Sequence, residues 1–297
     1  MNMQTLSLLP GRDSKFKFGC VALLLAISSL AGCCARVSML DIGPLSSAPT
    51  TRVTVTAHRG SPLRKRFPDN SIPAVRASVQ KRIPFIELDV RMSDNKELFL
   101  FHDGSLHADN SFAPSGLRGK SAQTLSPDER RSVFLDRDKT ASIPLLSEAL
   151  DELRGSGSSV QLDLKQESDQ LALAVFDLLK RRDQIAQALV QVRTPERARL
   201  ILKSYPQARI LGRCKDMKAL RDFLSLKPEF VELERWASSE AIELSHRAGV
   251  AVNANVASSR LDEPSTWNYL RSRGFDGIMS DHAQEHCRYG ACLNDGT

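Results

Sequence analysis

The chain is poor in cysteine, with six among 297 residues, and none sits with histidine at the spacing of a zinc site. A zinc module is thereby excluded. No run of basic residues interleaved with aromatics occurs, so nucleic acid is not an expected partner despite a formal charge of +6. The apolar run Val21–Leu30 is too short to span a bilayer. No short internal repeat appears, which sets aside stacked-repeat architectures. Of the cysteines, Cys287 and Cys292 flank a short loop and are placed to pair in an oxidising compartment, whereas Cys214 reads as a buried apolar residue.

What is present begins with a targeting segment. Arg12, Lys15 and Lys17 precede the apolar run, and Leu30-Ala31-Gly32-Cys33 looks like a bacterial lipoprotein cleavage box, in which Cys33 is lipidated and becomes the new N-terminus. The plain alternatives are an ordinary signal peptide cut nearby or a short uncleaved anchor. Acyl chains on Cys33 hold a protein at a membrane surface without a spanning helix. Cys34, rather than Asp, follows, which in such signals favours the outer membrane, facing the periplasm of a bacterial envelope. Four regions result: residues 1–33 as signal peptide with its lipidated cysteine, 34–52 as a Ser/Pro-bearing linker, 53–286 as the folded domain and 287–297 as a tail. Removing Arg12, Asp13, Lys15 and Lys17 leaves a modest basicity suited to anionic headgroups or small phosphodiesters.

Strand signals fall at Val53–His58, Phe85–Arg91, Val160–Lys165, Ala188–Arg193, Ala208–Arg213, Phe230–Glu234, Val250–Asn255 and Gly277–Asp281. Helical stretches separate most of them: Asn70–Arg82, Asp169–Arg182, Pro195–Ser204, Lys215–Leu224, Ser239–Ala248 and Pro264–Arg273. Eight rounds of strand and helix predict an α/β fold, a closed (β/α)8 TIM barrel. Buried parallel strands usually read as unbroken apolar runs. Here Thr54, Thr56 and His58 share a parity, as do Gln161, Asp163 and Lys165, and Asn253 and Asn255. The barrel lumen is therefore expected to carry polar groups, gathered toward the strand C-termini where barrel active sites sit.

Between Arg91 and the strand-like Leu98–His102 lie only about six residues, too few for a parallel crossover. A hairpin turning near Asp94-Asn95 is expected, with Glu87 opposite His102 and Asp89 opposite Leu100. An insertion over residues 104–142 follows the hairpin. Ser126-Pro127-Asp128-Glu129 within it is a helix start with a cap, a first-position Pro and a Glu three after the cap. Placed after His102, the insertion reads either as a lid over the barrel mouth or as a solvated loop.

His58-Arg59-Gly60, Pro68-Asp69-Asn70-Ser71, Glu87-Leu88-Asp89-Val90 and His102-Asp103, in that order, resemble the glycerophosphodiester phosphodiesterase family. Later landmarks are also in order: Leu125–Glu129, Ile143–Leu150, Leu162–Lys165 and Asp276–Asp281. The resemblance covers roughly Val53 to Asp281 and implies hydrolysis of glycerophosphodiesters to an alcohol and glycerol phosphate. His58 and His102 are then the acid/base pair, since imidazoles exchange protons near neutrality. Arg59 and Lys165 are expected on the substrate phosphate, and Gly60 lets the backbone approach it. Glu87, Asp89 and Asp163 offer hard oxygens for Ca²⁺ or Mg²⁺. The plain alternative is that these carboxylates simply pair with Arg59 and Lys165.

Three departures bear on the resemblance. Asp163 stands where the family usually has Glu, one methylene longer. Val252-Asn253-Ala254-Asn255 replaces an aromatic Trp-Thr, so an apolar platform is missing or is supplied by Trp236. Leu106-His107-Ala108-Asp109 replaces an Arg-Thr pattern. Glu234 is a further candidate at the mouth, while His107, His246, His282 and His286 lack a comparable setting and read as surface or structural. Two rival functions remain open: an enzyme on phospholipids or lysophospholipids, as in the related phosphatidylinositol phospholipases C and sphingomyelinases D, and a lipoprotein that binds without cleaving. The sequence points to no protein partner.

Overall fold

Period-two alternation in the chain becomes a closed ring of strands. The computed structural model describes residues 53–233 and 237–287. The strands are β1 (Thr54–Ala57), β2 (Phe85–Met92), β3 (Leu98–Leu100), β4 (Ser159–Leu164), β5 (Ala188–Val192), β6 (Arg209–Cys214), β7 (Phe230–Leu233), β8 (Ala251–Asn255) and β9 (Gly277–Ser280). They lie in the order β1-β9-β8-β7-β6-β5-β4-β2-β3, and β1 also pairs β2. Eight of them are therefore parallel and close on themselves, with β3 antiparallel on the flank of β2.

Helices α1 (Ile72–Gln80), α2 (Pro127–Ser132), α3 (Leu146–Leu153), α4 (Asp169–Arg181), α5 (Pro195–Ser204), α6 (Met217–Leu224), α7 (Ser239–Arg247), α8 (Pro264–Ser272) and α9 (Ala283–His286), with short 3-10 turns such as His58–Gly60, complete the described elements. Local chemistry starts most of them. Ser71, Ser168, Thr194, Asp216 and Ser238 each accept a backbone N–H of the first turn, which satisfies one of the orphan donors there. The predicted start at Ser126 forms a full capping box with Glu129. Helix α3 has no counterpart in the sequence reading, because Leu145 precedes it without a side-chain cap. None of the described helices is long and apolar enough to cross a membrane.

The apolar parity of the strands (Ile86, Leu88, Val160, Leu162, Val190, Val231, Val252, Ile278) packs outward on the helix layer in one continuous core. The other parity fills the lumen in tiers. Phe85, Leu189, Leu211 and Phe230 plug the floor. Above them Gln161 donates to Gln191 at 3.1 Å and Asn253 donates to Glu232 at 3.3 Å, so the middle tier is polar but paired. Cys214 is buried and free, as expected. Cys287 is disulfide-bonded. Cys292, its expected partner, lies outside the described residues, as do Cys33, Glu234, Trp236, the signal segment and the linker.

The hairpin differs from expectation by one residue. Val90 faces Leu100, Arg91 faces Phe99 and Met92 faces Leu98, so Glu87 does not oppose His102 and Asp89 does not oppose Leu100. The turn holds three residues, Asp94 to Lys96, closed by the Ser93 N–H to the Glu97 carbonyl at 2.9 Å, with Lys96 at φ 66°. A three-residue loop ending in a left-handed residue shifts the pairing centre relative to a two-residue turn. β3 ends at Leu100, so His102 reaches the mouth from the segment beyond the strand.

The insertion is a packed substructure. Phe99, Phe101, Leu106, Ala122, Leu125, Val133 and Ile143 form its own small core, and isolated bridges join Ser105 to Ser121 and Phe112 to Phe134. Buried Arg130 donates to the Ile143 carbonyl at 2.5 Å.

Candidate active site

Two adjacent strands supply the three carboxylates. Asp89 and Asp163 are Cα partners on β2 and β4, and Glu87 lies one pleat below on β2. All three are buried, and one oxygen of each lies within 4.8 Å of the others. That places three hard donors around a volume the size of one cation. The alternation that set them on one parity is the reason they converge.

The neighbours fix each acid differently. Asn70, itself left-handed at φ 57°, donates to Asp89 Oδ2 at 2.7 Å and accepts the Asp89 backbone N–H at 2.9 Å. Lys165 Nζ bridges Asp89 Oδ1 at 2.8 Å and Asp163 Oδ2 at 2.6 Å. Arg193, from the end of β5, reaches Asp163 Oδ1 at 3.1 Å. Glu87 Oε2 accepts the backbone N–H of Arg59 at 2.8 Å. Arg59 adopts φ 51°, uncommon for a residue with a side chain, and that turn aims its N–H at Glu87. Gly60 follows at φ +82°, where an added Cβ would stand 3.2 Å from Leu88. The Arg59 side chain lies between Asp69 at 3.0 Å and Asp89 at 3.5 Å.

Electrostatics separates the two acids of β2. Burial, then the charge of Asp89, pushes the Glu87 pKa well above the carboxylate range. Burial also raises that of Asp89, but Lys165, His102, Arg59 and His58 together pull it below its usual value. Lys165 is raised: burial opposes its charge, and Asp89, Asp163 and Glu87 outweigh that. A buried carboxylate resisting ionisation among two further carboxylates fits a cation position, because a divalent ion supplies the missing positive charge. Glu87, Asp89 and Asp163 are the residues fitted to hold it.

Both imidazoles come to this cluster, since the charge of each lowers the Asp89 pKa. His58 follows β1 and its Nδ1 lies 2.7 Å from Asp281 Oδ1. The other oxygen of Asp281 accepts the Ser258 N–H at 2.8 Å and faces Arg64 at 3.1 Å. His102 Nδ1 lies 2.6 Å from Asp103 Oδ1, and Arg91 holds the loop by donating to the carbonyls of Phe101 at 3.1 Å and His102 at 2.7 Å. Burial lowers the His102 pKa. A carboxylate oxygen only accepts, so each Nδ1 carries a proton and each Nε2 is the atom left to take or give one.

The expected residues His58, Arg59, Glu87, Asp89, His102, Asp163 and Lys165 are thus assembled at one end of the barrel. Asn70, Arg91, Asp103, Arg193 and Asp281 belong with them and were not assigned. Asn70, Asp103 and Asp281 stand inside the quoted motifs, and that was their only signal. Arg193 follows the end of β5, the fourth parallel strand, on the inward parity, a position readable from the alternation. Asn253 lies lower, on Glu232, and Asn255 is exposed with its Oδ1 on the Ala257 N–H. His107 and His246 are spent on Ser105 and Asp276, and His286 is buried against Trp267.

Comparison with known proteins agrees with this geometry. The model of the glycerophosphoryl diester phosphodiesterase family matches residues 58–285. A candidate glycerophosphodiester phosphodiesterase from Galdieria sulphuraria shares 18% identity at a TM-score of 0.69, covering 82% of this chain and 99% of that one. A glycerophosphoryl diester phosphodiesterase from Parabacteroides distasonis shares 21% identity at 0.66, covering 82% and 90%. An Oleispira antarctica phosphodiesterase, solved in complex with the product sn-glycerol-3-phosphate, shares 20% at 0.66, covering 79% and 95%. At these identities the likeness speaks for the fold. Among curated proteins no sequence matches.

Proposed function

The chain belongs to the glycerophosphoryl diester phosphodiesterase family and is a phosphodiesterase, and from that premise we propose how its own residues act. The substrate is a small glycerophosphodiester, cleaved to an alcohol and glycerol phosphate. The observation that carries the reading is the pair of His–Asp dyads, His58–Asp281 and His102–Asp103, both within electrostatic reach of one buried carboxylate cluster.

Glu87, Asp89 and Asp163 would hold a divalent cation, Ca²⁺ or Mg²⁺, which would neutralise phosphate charge and stabilise the developing oxyanion. The protein side chains do the rest. Arg59 offers a two-pronged guanidinium to the phosphate oxygens and Lys165 a second positive charge. One imidazole takes the proton of the attacking hydroxyl, and the other protonates the departing alcohol oxygen. The attacking hydroxyl is that of the glycerol next to the phosphorus. The product is a cyclic phosphate, which water opens with the two imidazoles exchanging roles. Asp281 and Asp103 hold the rings in the tautomer this requires.

The test is release of glycerol phosphate from glycerophosphocholine before and after chelation and cation restoration. Activity is expected to vanish on chelation and return with Ca²⁺ or Mg²⁺. His58→Ala and His102→Ala are each expected to lower kcat by about 10²–10⁴-fold with circular dichroism unchanged. Undiminished turnover in both variants overturns the assignment.

The location follows from the N-terminal segment. Cleavage ahead of Cys33 removes the signal, Cys33 is lipidated and becomes the N-terminus, and the linker at 34–52 tethers the domain at 53–286, ahead of the 287–297 tail, to a bacterial membrane, the outer one on its periplasmic side. Cys33→Ala is expected to abolish incorporation of labelled fatty acid and shift the protein from the membrane to the soluble fraction. Retention of label in that variant excludes lipidation at this residue.

A further inference from the structure

The insertion reaches the catalytic histidine through a single amide. We propose that Asn110 is a positioning residue that sets the tautomer and orientation of His102 by way of Asp103. The inference rests on the reading of His102 as an acid/base group.

Asp103 spends its two oxygens separately. Oδ1 lies on His102 Nδ1 at 2.6 Å, and Oδ2 accepts Asn110 Nδ2 at 2.6 Å. The amide is itself fixed: Nδ2 also donates to the Ser105 carbonyl at 3.0 Å, and Oδ1 accepts the His107 N–H at 2.7 Å. With both ends of the carboxamide committed, it cannot flip without losing its bonds, so the donor faces Asp103. Leu106, between the two, is anchored in the small core of the insertion. The turn is thus tied to that packed core.

The second dyad shows why this second contact matters. There Asp281 uses Oδ1 on His58, while Oδ2 is held by the Ser258 N–H at 2.8 Å and by Arg64. In each dyad the far oxygen of the aspartate is pinned by a donor from a neighbouring loop. A carboxylate held at one oxygen can swivel about its χ2 and release the imidazole; one held at both cannot. His102 and Asp103 are both about 40% exposed, against 13% and 7% for His58 and Asp281. Packing constrains the outer dyad less, and more falls on Asn110.

A double-mutant cycle with a direct view of the ring decides it. Asn110→Ala is expected to lower kcat about 10–100-fold with KM within about twofold, and in an Asp103→Ala background to change kcat by less than about twofold. Nitrogen-15 histidine spectra of the full chain are expected to show the His102 Nδ1–H tautomer in the wild type and a mixture with Nε2–H in Asn110→Ala. Should that variant fail to fold, Asn110→Asp keeps the shape and the His107 contact while turning the donor into a carboxylate, and carries the same expectation. Equal losses in both backgrounds, a change in KM alone, or an unaltered tautomer overturns the proposal and leaves Asn110 as a brace of its own turn. The spectra need no turnover. Their result stands even if the wild-type chain hydrolyses no glycerophosphodiester.

Discussion

At the scale of single residues, Glu87 is the point of highest cost. Its raised pKa arises from burial and from Asp89. For an acid, a folded pKa above the unfolded value means that the native state holds the proton more tightly. Above the unfolded pKa, ionisation therefore subtracts stability from the cation-free fold. Glu87→Gln removes that charge, keeps the acceptor for the Arg59 N–H, and is expected to stabilise the cation-free protein by about 1–2 kcal/mol at neutral pH. The same substitution is expected to abolish the rise in melting temperature that a divalent cation gives the wild type. Thermal melts with and without Ca²⁺ or Mg²⁺ check both. A variant less stable than wild type without cation, yet still stabilised by it, contradicts the role given to this side chain.

At the scale of elements, the seam between β8 and β9 has no room for a side chain at Gly277. Asn253 and Gly277 are Cα partners, and a Cβ on Gly277 would stand 2.5 Å from Asn253 Oδ1. Asn253 cannot yield freely, because its amide holds buried Glu232. Gly277→Ala is expected to destabilise by about 1–3 kcal/mol, read as a lower denaturant midpoint at unchanged slope. In an Asn253→Ala background, where the clashing amide is gone and the Glu232 bond already lost, Gly277→Ala is expected to cost little more. The contrast with the hairpin shows what was legible in the chain. The eight parallel strands could be read because alternation puts apolar side chains on the helix layer at every second residue, and the same parity gathered Glu87, Asp89, Asp163 and Lys165. The hairpin register could not, because a left-handed Lys96 carries none of the Gly or Asn signal that marks such a turn. Helix α3 is illegible for a related reason, as Leu145 puts no polar side chain at the cap position and only Glu148, reaching back to the Leu145 N–H, marks the start. Both errors lie where backbone conformation, not side-chain pattern, decides.

At the scale of the whole molecule, the barrel closes through β1 and β9, and α9 lies just beyond that closure. His286 there was read only as surface or structural, since its partners Trp267 and Arg271 lie far from it in the chain. Its ring stacks on Trp267 with centroids 4.3 Å apart, and Arg271 faces Nδ1 at 3.2 Å. A guanidinium can donate to Nδ1 only while the imidazole is neutral. Burial first, then Arg271, lowers the His286 pKa to about 3. Here the native state binds its proton less readily than the unfolded chain. Stability is therefore complete above the unfolded value near 6.5 and declines as pH falls from there toward 3. The linkage amounts to about 2 kcal/mol between pH 7 and pH 5. His286→Phe keeps an aromatic ring on Trp267 but carries no proton, so its stability is expected to fall less over that interval by about the same amount. Denaturant unfolding of both proteins at the two pH values measures it. Parallel pH dependence in the two would mean that the native state takes up the proton at 286 as readily as the unfolded chain does.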